Sequence, residues 1–176
     1  NGRSDHWADA PGDPVTRTAP DARSATGPGR PGLPSPVVGT GALAHIRICD
    51  FTGQLAGAGA TELLAAMGAE VIRIEDPVTQ GRWDILRGAP PFKDKRRGSE
   101  FGSGFNNHNV NKLGITPNLR TDKGKELLAE LVRRSDAVTE NFAPGVLERW
   151  GFGYSHLKEL KEDILYVSNC GFGQVG

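Results

Sequence analysis

The chain has 176 residues, 37% of them hydrophobic, and its 21 Lys plus Arg balance 21 Asp plus Glu. That is enough apolar material for one ordinary core, and the balanced charge sets up no field that would gather nucleic acid or an anionic membrane surface. No apolar run is long enough to cross a bilayer and residues 1–30 lack the hydrophobic middle of a signal peptide, so a cytoplasmic protein meeting small molecules or other chains is expected.

Residues 1–44 carry Pro11, Pro14, Pro20, Pro28, Pro31, Pro34 and Pro36 among Gly, Ala, Asp and Arg, with almost no aliphatic pattern. Such a stretch buries too little to offset its ordering entropy, and it is expected to be a disordered arm or a non-native leader. The chain opens on Asn1, its only methionine is Met67, and GFGQVG follows directly on a strand-like run at the end. These features predict a fragment open at both ends, with residues 45–176 forming part of a larger domain.

From His45 the texture changes. HIRICDF is β-rich, and Ala60, Leu63, Leu64 and Met67 then recur at the spacing of one helix face, with Gly68 placed as a C-terminal cap. EVIRI, Glu70 to Ile74, is a second strand, which makes a βαβ unit with parallel strands. Pro77 to about Val110 is long, polar and glycine-rich, the signature of a functional or disordered loop. Within it KDKRR, Lys93 to Arg97, reads as a solvated surface, and His108 lacks a second ligand-type residue at metal spacing. An extended piece from Lys112 to Leu119 leads to a helix capped by Thr121, with Leu127, Leu128, Leu131 and Val132 as its apolar face and Arg133 and Arg134 at its end. There follow the strand DAVT, the turn ENFAPG with Pro144 at a first helical position, the helical turn VLERW, an amphipathic helix to about Glu162, and the strand ILYVSN. This alternation predicts an α/β fold, a Rossmann-like doubly wound parallel sheet.

Three stretches carry candidate chemistry, each at a strand end. DFTGQLAGAGATELLAAMGAEVIRIE puts Gly57 and Gly59 in the first two places of a dinucleotide fingerprint, but Glu62 in the third, where bulk opposes helix packing and charge opposes phosphate. Glu75 stands where an acid would bind a ribose, so an NAD(P)-binding module stays open. In TENFAPGVLERWGFGYS, Asn141 offers an amide, Phe142 a face for stacking a base and Arg149 a cation for phosphate, although a capped helix with a core Phe fits the same residues. SNCGFGQVG has glycines that let a ligand approach the backbone, with Phe172 between them. Cys49 and Cys170 lie far apart, in or beside strands, and read as buried thiols rather than a disulfide or metal site.

Taken in this order, DFTGQLAGAGATELLAAMGAEVIRIE, NKLGITPNLRTDKGKELL, AVTENFAPGVLERWGFGY and LYVSNCGFGQVG resemble the class III coenzyme A transferases, the family of formyl-CoA transferase and carnitine CoA-transferase. The resemblance covers about residues 45–176 and implies the N-terminal part of the large domain of a longer enzyme that works as an interlocked homodimer. It also implies coenzyme A, bound as acyl-CoA without a metal, as the ligand. The glycine turn would then meet it at Leu55 and Ala56. Pro117, Asn118, Leu119 and Arg120 fall on a segment that lines the nucleotide, and Asn141, Phe142, Ala143 and Arg149, then Asn169, Cys170, Gly171, Phe172 and Gly173, fall on further contacts. The chain departs from the family at Leu113 and Gly114, at Pro117 and Asn118, and at Asp76, where formyl-CoA transferase carries Arg; KDKRR or Arg73 is the candidate source of the missing charge.

The chemistry implied by the resemblance is transfer of CoA from an acyl-CoA to a carboxylic acid through an aspartyl-CoA thioester. The nucleophilic aspartate is expected just beyond Gly176, so this chain is expected to hold part of the CoA site, no catalytic residue and no activity alone. The α-methylacyl-CoA racemases share the fold and the N-terminal region but move an α-proton with downstream His and Asp residues. The residues at hand do not separate the two, and a non-catalytic CoA-binding module is the third reading.

Overall fold

In a computed structural model of the chain, residues 41–174 are described. The arm or leader expected over residues 1–44 falls, up to residue 40, outside them. Five strands, β1 (Arg47–Asp50), β2 (Glu70–Ile74), β3 (Leu113–Ile115), β4 (Ala137–Glu140) and β5 (Leu165–Ser168), form one sheet in the order β3-β2-β1-β4-β5. Every neighbouring pair is parallel. The order reverses between β1 and β4, so the carboxyl ends of these strands flank the crevice where open parallel sheets bind ligands. The Rossmann-like α/β expectation is met.

The helices are α1 (Ala56–Ala66), α2 (Ser103–Asn107), α3 (Asp122–Arg133), α4 (Val146–Arg149) and α5 (Tyr154–Leu160). Strand alternation sorts the core into two sides. Cys49, Phe51, Ile74 and Val138 join Leu128 and Val132 of α3, Leu147 of α4 and Leu157 of α5. Ile48, Val71 and Ala137 join Ala65 of α1 and Ala69 on the other. Cys49 is wholly buried, which pushes its thiol up and keeps it protonated. Cys170 is half-buried and unpaired.

The cap of α3 forms as expected, with Thr121 Oγ1 accepting from the Gly124 N–H at 3.1 Å. Three details differ from the sequence reading. The buried stripe of α1 is Gly57, Ala58, Thr61 and Ala65, whereas Leu63 and Met67 face solvent. The helix lies so close to the turn after β1 that a Cβ at Gly57 would stand 2.6 Å from Thr52 Cβ and 2.9 Å from Asn141 Cγ. Small residues are therefore the only ones that fit. In α3, Leu128 and Val132 occupy the core and Leu127 is exposed. Pro144 precedes α4 rather than opening it, because Gly145 at φ 77° redirects the chain before Val146.

Candidate functional site

β2 runs out into Glu75 and Asp76, and the chain beyond folds back over the carboxyl edge of the sheet. Arg73, only 3% exposed in its side chain, holds this segment down. It donates to Thr52 O at 2.6 Å, Asn109 Oδ1 at 3.0 Å, Asp84 Oδ2 at 2.7 Å and Glu75 Oε1 at 3.1 Å. Arg87 Nη2 donates to both Glu75 oxygens, at 2.6 and 2.7 Å. Phe105 of α2 lies between the two guanidinium groups, 5.1 Å from that of Arg73 and 3.5 Å from that of Arg87. Two cations thus meet two carboxylates, so burial leaves no charge uncompensated. The stretch from Pro77 to Val110 is therefore an ordered wall containing α2, so of the two expectations for it, functional or disordered, the disordered one is not met.

A second network fastens the turn after β1. The wholly buried Asp50 accepts through Oδ1 from Thr52 N at 2.9 Å, Thr52 Oγ1 at 2.6 Å and Thr139 Oγ1 at 2.9 Å. Its Oδ2 accepts from Thr61 Oγ1 at 2.8 Å and faces Lys112 Nζ at 3.4 Å. Lys112 also donates to Ala58 O at 2.8 Å and Thr61 Oγ1 at 2.7 Å. Burial, only partly offset by Asp50, pushes the ammonium below the usual lysine range.

Between these anchored turns lies a cleft of about 400 Å³. Its apolar walls are Phe51, Ile74, Trp83, Pro117, Leu119, Phe142 and Trp150, and Glu75, Asp76, Thr79 and Arg120 are its polar members. Phe142 sits centrally, with ring centroids 5.1 Å from Trp83, 5.1 Å from Trp150 and 6.4 Å from Phe51. Arg120 Nη2 lies 3.6 Å from Asp76 Oδ2. Apolar walls with a few convergent polar groups suit a flat heteroaromatic ring carrying a polar, anionic extension.

The residues singled out in the sequence all follow the carboxyl end of a strand, but they divide by position. Pro117, Leu119, Arg120 and Phe142 line the cleft. Asn118 Oδ1 accepts from Arg120 N at 3.1 Å and shapes their turn. The Asn141 amide is spent inside the protein, donating to Gly53 O at 2.9 Å and accepting from Gly53 N at 2.8 Å, which ties the turn after β4 to the turn after β1. Cys170 Sγ donates to Phe142 O at 3.1 Å and backs the aromatic wall. Leu55, Ala56, Ala143, Arg149, Asn169, Gly171, Phe172 and Gly173 are exposed along the same edge and do not line the cleft.

KDKRR is exposed, as expected, and His108 Nδ1 bonds Gly104 O at 2.8 Å. Arg73 does not supply the missing phosphate-binding charge, because its donors are committed to protein acceptors. Sequence reasoning passed over Trp83, Trp150 and Thr79; the signal for the first two was an aromatic residue in a polar segment at a strand's carboxyl edge.

The model of the CoA-transferase family III matches residues 43–176. The chain is 40% identical over 136 residues to the formyl-CoA:oxalate CoA-transferase of Streptomyces coelicolor, an alignment that takes in 76% of this chain and 30% of that relative. It is also 40% identical over 133 residues to the succinyl-CoA:mesaconate CoA-transferase of Haloarcula marismortui, across 76% of this chain and 33% of the relative. Among solved structures, a CAIB/BAIF family protein from Brucella suis matches with a TM-score of 0.63 at 33% identity, over 73% of this chain and 33% of that one. Rv3272 from M. tuberculosis matches with a TM-score of 0.65 at 30% identity, over 74% and 35%. The chain thus spans about a third of the length of these relatives.

Proposed function

Because the chain belongs to CoA-transferase family III, we propose that the full-length protein moves coenzyme A from an acyl-CoA to a carboxylic acid, and that this chain supplies the nucleotide end of the CoA site. The observation that carries the reading is the cleft, which joins three adjoining aromatic side chains, Trp83, Phe142 and Trp150, to an exposed guanidinium at the sheet's carboxyl edge. Adenine stacks among Trp83, Phe142 and Trp150, and Arg120 meets phosphate.

In the proposed cycle an aspartate from elsewhere in the protein attacks the acyl thioester, expelling CoA thiolate and forming a mixed anhydride. The thiolate returns to the aspartyl carbonyl, releases the donor acid and leaves an aspartyl-CoA thioester. The acceptor carboxylate repeats the two steps in reverse order and regenerates the aspartate. The transferase names of relatives at 40% identity favour this over racemisation. Glu75, already held by Arg73 and Arg87, and Glu62 in a glycine's place weigh against an NAD(P) module. A cytoplasmic homodimer is part of the same proposal.

In the intact protein, CoA but not NADH should raise the melting temperature, and Trp150→Ala should weaken CoA binding roughly tenfold, the scale of one lost base–aromatic stack. Mass spectrometry of a mixture with an acyl-CoA and a second carboxylic acid should show the exchanged thioester. Stabilisation by NADH and not by CoA would overturn the reading.

A further inference from the structure

We propose that Asp76 and Arg120 form a selector for a phosphate on the ribose of the bound nucleotide, in which Asp76 sets how strongly Arg120 responds to that phosphate. The inference rests on the reading of the cleft as a CoA site. In parallel sheets of this order, an acid just past the second strand hydrogen-bonds ribose hydroxyls, whereas an arginine nearby accommodates a phosphate on the same sugar. The lining of the cleft places two acids and one arginine there, and their contacts assign different parts to them.

Glu75 is occupied, since both of its oxygens accept from Arg87 and one also accepts from Arg73. Asp76 is only partly engaged. Its Oδ1 accepts from the Val78 N–H at 2.9 Å, while Oδ2 faces Arg120 at 3.6 Å. Arg120 is 63% exposed in its side chain, and Asp76 is its ion-pair partner among the described residues. A pair this long and this exposed is weak, so an incoming phosphate can draw Arg120 away. The Asp76 carboxylate stays behind, pinned by Val78, and repels the phosphate it faces. Arg73 cannot relieve this because its guanidinium is buried and spent on four protein acceptors. The mouth of the cleft therefore presents one responsive cation and one fixed anion.

CoA and dephospho-CoA differ only in the 3′-phosphate on the ribose, which makes them the pair that reads the selector. Calorimetric titration of the intact protein with each ligand, for the unaltered form, Asp76→Asn and Arg120→Gln, tests it. Asparagine keeps an oxygen for the Val78 N–H, so melting temperatures should not change. Asp76→Asn should tighten CoA roughly tenfold, the effect of removing one charge several ångströms from a phosphate at a water-exposed mouth, and barely alter dephospho-CoA. Arg120→Gln leaves the Asp76 carboxylate alone at the mouth and should make dephospho-CoA the tighter ligand. Equal shifts for both ligands, or weaker CoA binding in Asp76→Asn, would overturn the selector and leave the CoA reading intact. If the unaltered protein bound neither ligand, the proposed function would fall and the selector with it.

Discussion

Glu140 is 4% exposed, yet no cation pairs with it among the described residues. Its charge is carried by two donors instead, the Phe142 N–H at 2.7 Å and the Tyr166 hydroxyl at 3.1 Å. Burial first, and the Glu140 charge second, push the Tyr166 phenol above its ordinary value of 10.0. The sign follows: below pH 10 both folded and unfolded chains keep the phenol proton and its stabilisation is complete. Above pH 10 the unfolded chain loses the proton first, so stability falls as pH rises. Tyr166→Phe should therefore cost about 1 kcal/mol at pH 7, where Glu140 loses a donor that water replaces only in part. The gap to the unaltered protein should narrow above pH 10, since Cys49 titrates alike in both. Melting curves from pH 7 to 11 read this directly, and a constant gap would contradict it. The ENF motif at Glu140 to Phe142 was plain in the sequence, but its division of labour was not. That Asn141 would clamp Gly53 and Phe142 would form the wall depends on partners far along the chain.

At the scale of elements, α1 shows how a correct helix assignment can carry the wrong face. Period 3.6 marked Leu63 and Met67, but the surface available to α1 is the narrow space against Thr52 and Asn141, which admits only Gly57, Ala58, Thr61 and Ala65. Gly57→Ala tests this with two opposed terms. Helix propensity gains about 1 kcal/mol, and overpacking costs about 1–3 kcal/mol. Neither neighbour can retreat, since Thr52 is bonded to Asp50 and Asn141 to Gly53. Overpacking should win, lowering the melting temperature of the intact protein; a rise would show that the turn yields. The order of the segment from Pro77 to Val110 was likewise illegible. Its anchors pair Arg73 with Asp84 and Glu75 with Arg87, and no short window reveals which charges will meet.

Across the whole molecule, Leu63 and Met67 on α1 and Leu165 and Val167 on the edge strand β5 are exposed, each by half or more. Apolar surface and an unpaired strand edge together favour association. The 176-residue chain alone should therefore self-associate in light scattering coupled to gel filtration, and Leu165→Lys with Val167→Lys should shift it toward monomer. A monodisperse monomer of the unaltered chain would refute this. The strands, the Thr121 cap, the Gly68 helix end, the parallel α/β class and the family motifs were all readable from residues one after another. The strands, the cap and the helix end rest on rules that act over a dozen positions or fewer, namely side-chain period, capping chemistry and backbone freedom. The class rests on how they alternate along the chain, and the motifs on a resemblance. The cleft rests on none of these. Trp83, Phe142 and Trp150 meet, and Asp76 faces Arg120, only because the order β3-β2-β1-β4-β5 and its register bring separate strand ends to one edge. That arrangement is fixed by the packing of all five strands together, which no local stretch encodes.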